Sequence, residues 1–287
     1  MLHAVSIGAL ARLGEPLPTL VSEFADAGFG AISMDPQLML DLGESARCDL
    51  AALVAERGLI VVLHGSFDTS IRDVAELAEL LGPRLGNVTF DPVLGWTSAG
   101  LLHRTERMAP YLQQLDPVAK THGFSYGVED FPETLFALKM YRDDLSPLLE
   151  SNRFGILIDI GHFNESVHKY GYFAGVSPEE HFAHLPLRLL EVHLNDNDGS
   201  GDQHLPLGLG NIDLRSVARG LERIGFDGFS TIEIEPQKGR DDPIADGKRQ
   251  IIDSLSFWQR LLADLTSVAP HHGADRGDGR RILQPPR

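Results

Sequence analysis

FGILIDIGH, residues 154–162, sets a continuous aliphatic run against an acid, a glycine and an imidazole. A strand with one wet face alternates apolar and polar residues. A run that is apolar at every position is buried on both faces, as in a parallel sheet covered by helices. Asp159 follows three aliphatic residues, so it belongs at or near the end of such a strand, and His162 comes three residues later, where the chain turns outward.

The same pattern recurs in both directions. Short apolar runs stand at AVSIGAL (4–10), AISMD (31–35), LIVVLHG (59–65) and NVTFDP (87–92), then at FSYGVED (124–130), LLEVHLND (189–196) and FSTIEIE (229–235). Helix-like segments such as PTLVSEFADAG, CDLAALVAERG, RMAPYLQQLDPVAKTHG and LRSVARGLERIG lie between them, and most end in glycine, the common helix C-cap residue. A last helical segment, IADGKRQIIDSLSFWQRLLADL, closes the series. About eight strand–helix units in roughly 250 residues is the arithmetic of an α/β (β/α)8 barrel. A doubly wound open sheet has fewer strands, and no Gly-rich phosphate fingerprint follows the first run. One domain over 1–266 is expected, followed by a disordered tail at 267–287 whose His271 and His272 read as solvated.

Composition narrows the partners. The 287-residue chain is 43% hydrophobic and 23% charged, as soluble globular proteins are, and its formal net charge is −16. Lys and Arg form no continuous block, so no nucleic-acid partner is expected. No apolar run approaches the roughly 20 residues that span a bilayer, and MLHAVSIGALARLG lacks a basic n-region, so a cytoplasmic protein is expected. Cys48 is the single cysteine, which rules out an intramolecular disulfide and a multi-thiolate zinc site.

Barrel chemistry sits at the C-terminal ends of the strands. Those ends carry His64, Asp91, Glu129, Asp159 with His162, His193, and Glu233 with Glu235. One polar strand end is a loop cap or a satisfied hydrogen bond. A ring of them is harder to house, because each buried carboxylate needs a partner. In LLEVHLND, alternation puts Glu191, His193 and Asn195 on one face. In the loop that follows, Asp202 and His204 point the same way if that segment is extended. Glu233 and Glu235 share a face by the same logic, one as a ligand and the other orienting it or forming an ion pair. Carboxylates and imidazoles without thiolate suit Zn²⁺, Mn²⁺, Fe²⁺ or Co²⁺, and Mg²⁺ less well. Trp96 and Phe67 fall in rim loops, and Lys238, Arg240 and Lys248 follow the last strand. His3, His103, His122, His168, His181 and His184 have no convergent partners.

The motifs VED (128–130), IDIGH (158–162), EVHLND (191–196), DQHLPLGLG (202–210) and GFDG…TIE (225–233) together resemble the xylose-isomerase-like TIM-barrel superfamily of sugar isomerases, epimerases and endonuclease IV-like enzymes. The first half matches through its strand–helix rhythm and LHG at 63–65. The resemblance implies a divalent metal (Mn, Zn, Co or Mg) held by Glu129, Asp159, His193 and Glu233. In the epimerase branch Glu129 and Glu233 would also move protons through a metal-stabilised enediolate, with His162 orienting a substrate oxygen. The implied substrate is a small carbohydrate: a sugar, sugar phosphate or polyol derivative. A related dehydratase would use nearly the same site. The endonuclease branch would enlist His64, His162, Asp202 and His204 for further metals, as a phosphodiester hydrolase. Asp91 stands where that branch has a histidine, and VED departs from the usual Glu-Asn. Homo-oligomerisation stays open.

Overall fold

The computed structural model describes residues 1–97, 100–103, 105–130, 148, 151–171, 173–185, 187–236 and 241–268, with backbone alone at 93–107 and 267–268. The expected tail, His271, His272, Lys238 and Arg240 therefore lie outside the described residues, as do the side chains of Trp96 and His103.

Eight parallel strands close into a barrel: β1 (Leu2–Ser6), β2 (Ala31–Met34), β3 (Ile60–Ser66), β4 (Leu85–Asp91), β7 (Ser125–Glu129), β8 (Phe154–Asp159), β9 (Leu189–Leu194) and β10 (Phe229–Ile232). Around the ring the order is β1-β10-β9-β8-β7-β4-β3-β2, and β1 closes it by pairing with both β2 and β10. The (β/α)8 reading is correct. An antiparallel pair, β5 (Val93–Thr97) with β6 (Gly100–His103), interrupts the alternation after β4 and had no counterpart in the sequence reading.

Every residue of β8 and β9 is buried, as the apolar run of β8 requires, and in β9 this includes Glu191 and His193. Several boundaries are shorter than the sequence runs. β1 stops at Ser6 and Gly8–Arg12 is helical, because Ile7 already takes helical angles. The chain after Asp159 likewise enters the helix Ile160–His168 directly.

Helices cover the outside through apolar stripes at helical spacing. The helix Leu214–Arg223 buries Leu214, Val217, Ala218 and Leu221, at i, i+3, i+4 and i+7. Each large side chain so buried contributes roughly 1.5–3 kcal/mol. The final helix, Pro243–Val268, sets Ile251, Leu255 and Trp258 against the barrel. Ser70 and Ser177 cap their helices, Ser177 in a reciprocal box with Glu180. The glycines expected after helices do their work at Gly28 and Gly58, both at positive φ. No helix among the described residues is long and apolar enough to cross a membrane.

Candidate metal centre at the barrel mouth

Four neighbouring strands, β7 to β10, bring Glu129, Asp159, His193 and Glu233 together. The register explains it: Asp159 pairs with His193 across β8–β9, and His193 with Thr231 across β9–β10, so Glu233 emerges one step past the strand end. His193 Nδ1 faces three carboxylate oxygens: Glu233 Oε2 at 2.7 Å, Glu129 Oε1 at 3.5 Å and Asp159 Oδ2 at 3.7 Å.

Asp159 divides its two oxygens between structure and site. Oδ1 accepts from the backbone N–H of Gly161 at 2.6 Å and of His162 at 3.1 Å, which caps the following helix. Oδ2 accepts from Asn195 Nδ2 at 2.8 Å and faces His193. The cap fixes why IDIGH needs its glycine: a Cβ at position 161 would lie 2.2 Å from Asn195 Oδ1 and 2.9 Å from Asp159 Oδ1.

The outer members extend this centre. His64 Nε2 lies 3.2 Å from Glu129 Oε2, and its Nδ1 is 3.1 Å from Thr89 Oγ1. His162 Nδ1 donates to the Asp130 carbonyl at 2.9 Å, and its Nε2 lies 3.7 Å from Asp202 Oδ2. His204 Nε2 is 3.0 Å from Asp202 Oδ1, and its Nδ1 is 3.8 Å from Glu233 Oε2. Asp202 and His204 do not meet by extended-chain alternation, since His204 has φ 44°. A left-handed turn brings them together. Glu235 stands outside the donor cluster but on the adjoining cavity: β10 ends at Ile232, Glu235 is 61% exposed, and it lies 3.9 Å from Arg12.

The loop carrying Asp202 and His204 is tied down by residues the sequence reading passed over. Asp196 accepts from the N–H groups of Asn197, Gly208 and Ile212, and bridges to Leu205 through its backbone. Asn164 donates to Asn197 Oδ1 and Asn211 Oδ1, both at 2.7 Å. Their proximity depends on long-range chain return, for which spacing carries no signal.

Charge is strongly shared. Burial alone would raise Glu233, but His193 and His204 hold it at about 2. Burial acts against Glu129 in the same way, and His64, His193 and His162 keep it well below the usual range. Burial opposes protonation of His204, yet Asp202 and Glu233 lift it to about 10. His193 is likewise held well above its ordinary value, despite burial, by Glu233, Glu129 and Glu191. Asp130 goes the other way, pushed by burial to about 8. The carboxylates thus demand positive charge, which protonated imidazoles meet here.

The donor set suits a divalent cation. Donor atoms lie within 4.8 Å of one another in three overlapping groups: His64, Glu129 and His193; Glu129, Asp159 and His162; and Asp159, His193 and Glu233. Both ring nitrogens of His193 are buried without a hydrogen bond of good geometry, as is His204 Nδ1. Imidazole and carboxylate donors with no thiolate fit Zn²⁺, Mn²⁺ or Co²⁺. Beside the cluster opens a cavity of about 220 Å³ whose wall includes Ser6, Ser33, Ser66, Asp35, Asp91 and Arg12. Phe67 is not part of that wall; it stacks on Phe90, 5.0 Å between centroids, and packs edge-on to Tyr111. Lys248 pairs with Glu15 and Glu23 at 2.6 Å each.

Comparison with known proteins agrees with this architecture. Two uncharacterized proteins of Methanocaldococcus jannaschii match: one is 30% identical over 125 residues, covering 42% of this chain and 41% of the relative, and the other 25% identical over 134 residues, covering 46% and 47%. The chain thus spans less than half the length of these curated relatives. Among solved structures, a D-tagatose 3-epimerase-like protein superposes with TM-score 0.66 at 20% identity, covering 93% of this chain and 99% of that one. D-psicose 3-epimerase with D-tagatose, from Clostridium cellulolyticum H10, gives 0.65 at 13%, covering 91% and 99%. The IOLI protein with a bound zinc atom gives 0.68 at 15%, covering 92% and 99%. At these identities the superpositions speak to fold. The family profile for the xylose isomerase-like TIM barrel, in turn, matches residues 21–261. The chain belongs to the xylose isomerase-like TIM-barrel family.

Proposed function

We propose that the protein is a divalent-metal-dependent isomerase or epimerase of a small sugar or polyol derivative. The observation that carries this reading is the convergence of Glu129, Asp159 and Glu233 on His193 Nδ1, beside a cavity walled by hydroxyls and carboxylates. Glu129, Asp159, His193 and Glu233 would hold the ion. When bound, it supplies electrophilic stabilisation to adjacent carbonyl and hydroxyl oxygens, which acidifies the C–H between them. Glu129 and Glu233, both with depressed pKa values, are ionised and able to accept a proton. One would remove it and the other return one to the opposite face. His162, held at Nδ1 by the Asp130 carbonyl, would orient a substrate oxygen through Nε2, which lies beside Asp202.

Substrate charge follows from the wall. Arg12 is its one Lys or Arg among the described residues and lies beside Glu235, while Asp35 and Asp91 add negative charge. Uncharged polyhydroxy compounds suit this lining better than phosphorylated ones. A screen of ketoses, inososes and sugar phosphates for deuterium uptake from heavy water tests the reading. Glu129→Gln and Glu233→Gln should each lower exchange by roughly 10²–10⁴-fold. Exchange retained in both variants overturns the assignment.

A second reading, a multinuclear phosphodiester hydrolase, draws on the placement of Asp202 and His204 against His162 and Glu233. Metal stoichiometry separates the two: about one tightly held ion supports the isomerase, and about three zinc ions per chain support the hydrolase. The net charge of −16 weighs against a polyanionic substrate.

A further inference from the structure

The two ring nitrogens of His193 face different company. Nδ1 looks toward Glu233, Glu129 and Asp159 at the mouth, while Nε2 lies 3.5 Å from Glu191 Oε1. Glu191 stands two residues earlier on β9, on the same face and one layer deeper, with no exposed surface. Its Oε1 accepts from Thr231 Oγ1 at 2.6 Å, and Thr231 is the residue of β10 in register with His193. Its Oε2 has no hydrogen bond. Glu191 belongs to none of the three donor groups found among the described residues.

A fully enclosed carboxylate is costly unless a donor or cation meets it. One hydroxyl meets part of that need, and His193 Nε2 lies at the edge of hydrogen-bond reach of the same oxygen. A neutral imidazole carries its proton on one nitrogen only, and the group facing each nitrogen decides which. We propose that Glu191 is a positioning residue: it holds a proton on His193 Nε2, so that the ring gives up its Nδ1 proton and offers that lone pair when a divalent cation binds. Thr231 holds the Glu191 carboxylate in place for this task. The inference rests on the metal site proposed above.

Titration calorimetry with Zn²⁺ on the full chain tests it, with wild type, Glu191→Gln and Thr231→Val compared. Glu191→Gln should bind zinc roughly 10–100-fold more weakly at unchanged stoichiometry, and Thr231→Val should show a smaller loss in the same direction. Long-range ¹⁵N NMR of the zinc-loaded wild type should show His193 protonated at Nε2, and Glu191→Gln should lose that single tautomer. A general packing defect would not move this signature. Zinc affinity of Glu191→Gln within about 3-fold of wild type overturns the inference alone, as does a zinc-loaded wild type protonated at Nδ1. If Glu191→Gln does not fold, the same two readouts on Thr231→Val decide, and an unchanged affinity and tautomer there overturn it. A wild type that takes up no divalent ion overturns the metal site itself, and this inference with it.

Discussion

His181 shows how a single half-buried imidazole with an enclosed Nε2 behaves away from the mouth. It packs against Phe163 at 4.6 Å and Phe173 at 5.2 Å between ring centroids, and its Nε2 has no hydrogen bond. Burial, helped by repulsion from His184, pushes its pKa down from 6.5 to about 4. The unfolded chain takes up this proton as pH falls through 6.5, whereas the folded protein does so only near 4. Stability should therefore fall as pH drops between those values, by at most ~1.4 kcal/mol per pH unit from this residue, and be little affected by it well above 6.5. Urea unfolding at several pH values should show the slope, and His181→Leu should flatten it. The sequence reading left His181 without a convergent partner. Its aromatic neighbours come from a helix and a turn beyond any local spacing rule.

Among elements, the segment after β9 concentrates structural demand on Asp196, whose carboxylate gathers three backbone N–H groups. Asp196→Ala strands those donors and should destabilise the protein by on the order of 3 kcal/mol, with Asp196→Asn costing less. Denaturant midpoints at constant m-value check this. The same segment marks where sequence legibility stops. Strand 189–194 was legible from alternation, with Glu191 and His193 on one face. The run 154–158 was legible from its continuous apolar character, because burial on both faces leaves little room for polar side chains. Glu129, Asp159, His193 and Glu233 were legible as polar strand ends for the same reason. The left-handed His204, the Asp196 anchor and the β5–β6 pair were not, since each depends on backbone geometry or contacts that period and composition do not encode. Glu235 looked like a partner of Glu233 only while β10 was taken to run past Ile232.

For the molecule as a whole, a bound ion should appear as stability. A ligand that binds only the folded state at 100 times its Kd adds about 2.7 kcal/mol. For chains of roughly this size that raises Tm by several degrees, at about 2–4 °C per kcal/mol. Mn²⁺ or Zn²⁺ should produce this shift by calorimetry, and a chelator should reverse it. Tm unchanged by each of Zn²⁺, Mn²⁺, Co²⁺ and Mg²⁺ would contradict the proposed centre.

The order of strands around the barrel has a practical consequence. Glu129, Asp159, His193 and Glu233 all come from β7 to the end of β10, consecutive around the ring and all after residue 124. The cavity wall draws mostly on the first 91 residues, with Ser6, Arg12, Ser33, Asp35, Ser66 and Asp91, and is completed by His204 and Glu233 to Glu235. Most of the wall is thus written before residue 92 and all four proposed ligands after it, the two meeting at Glu233. A library that varies only wall positions before residue 92 could retune substrate choice while leaving all four proposed ligands in place.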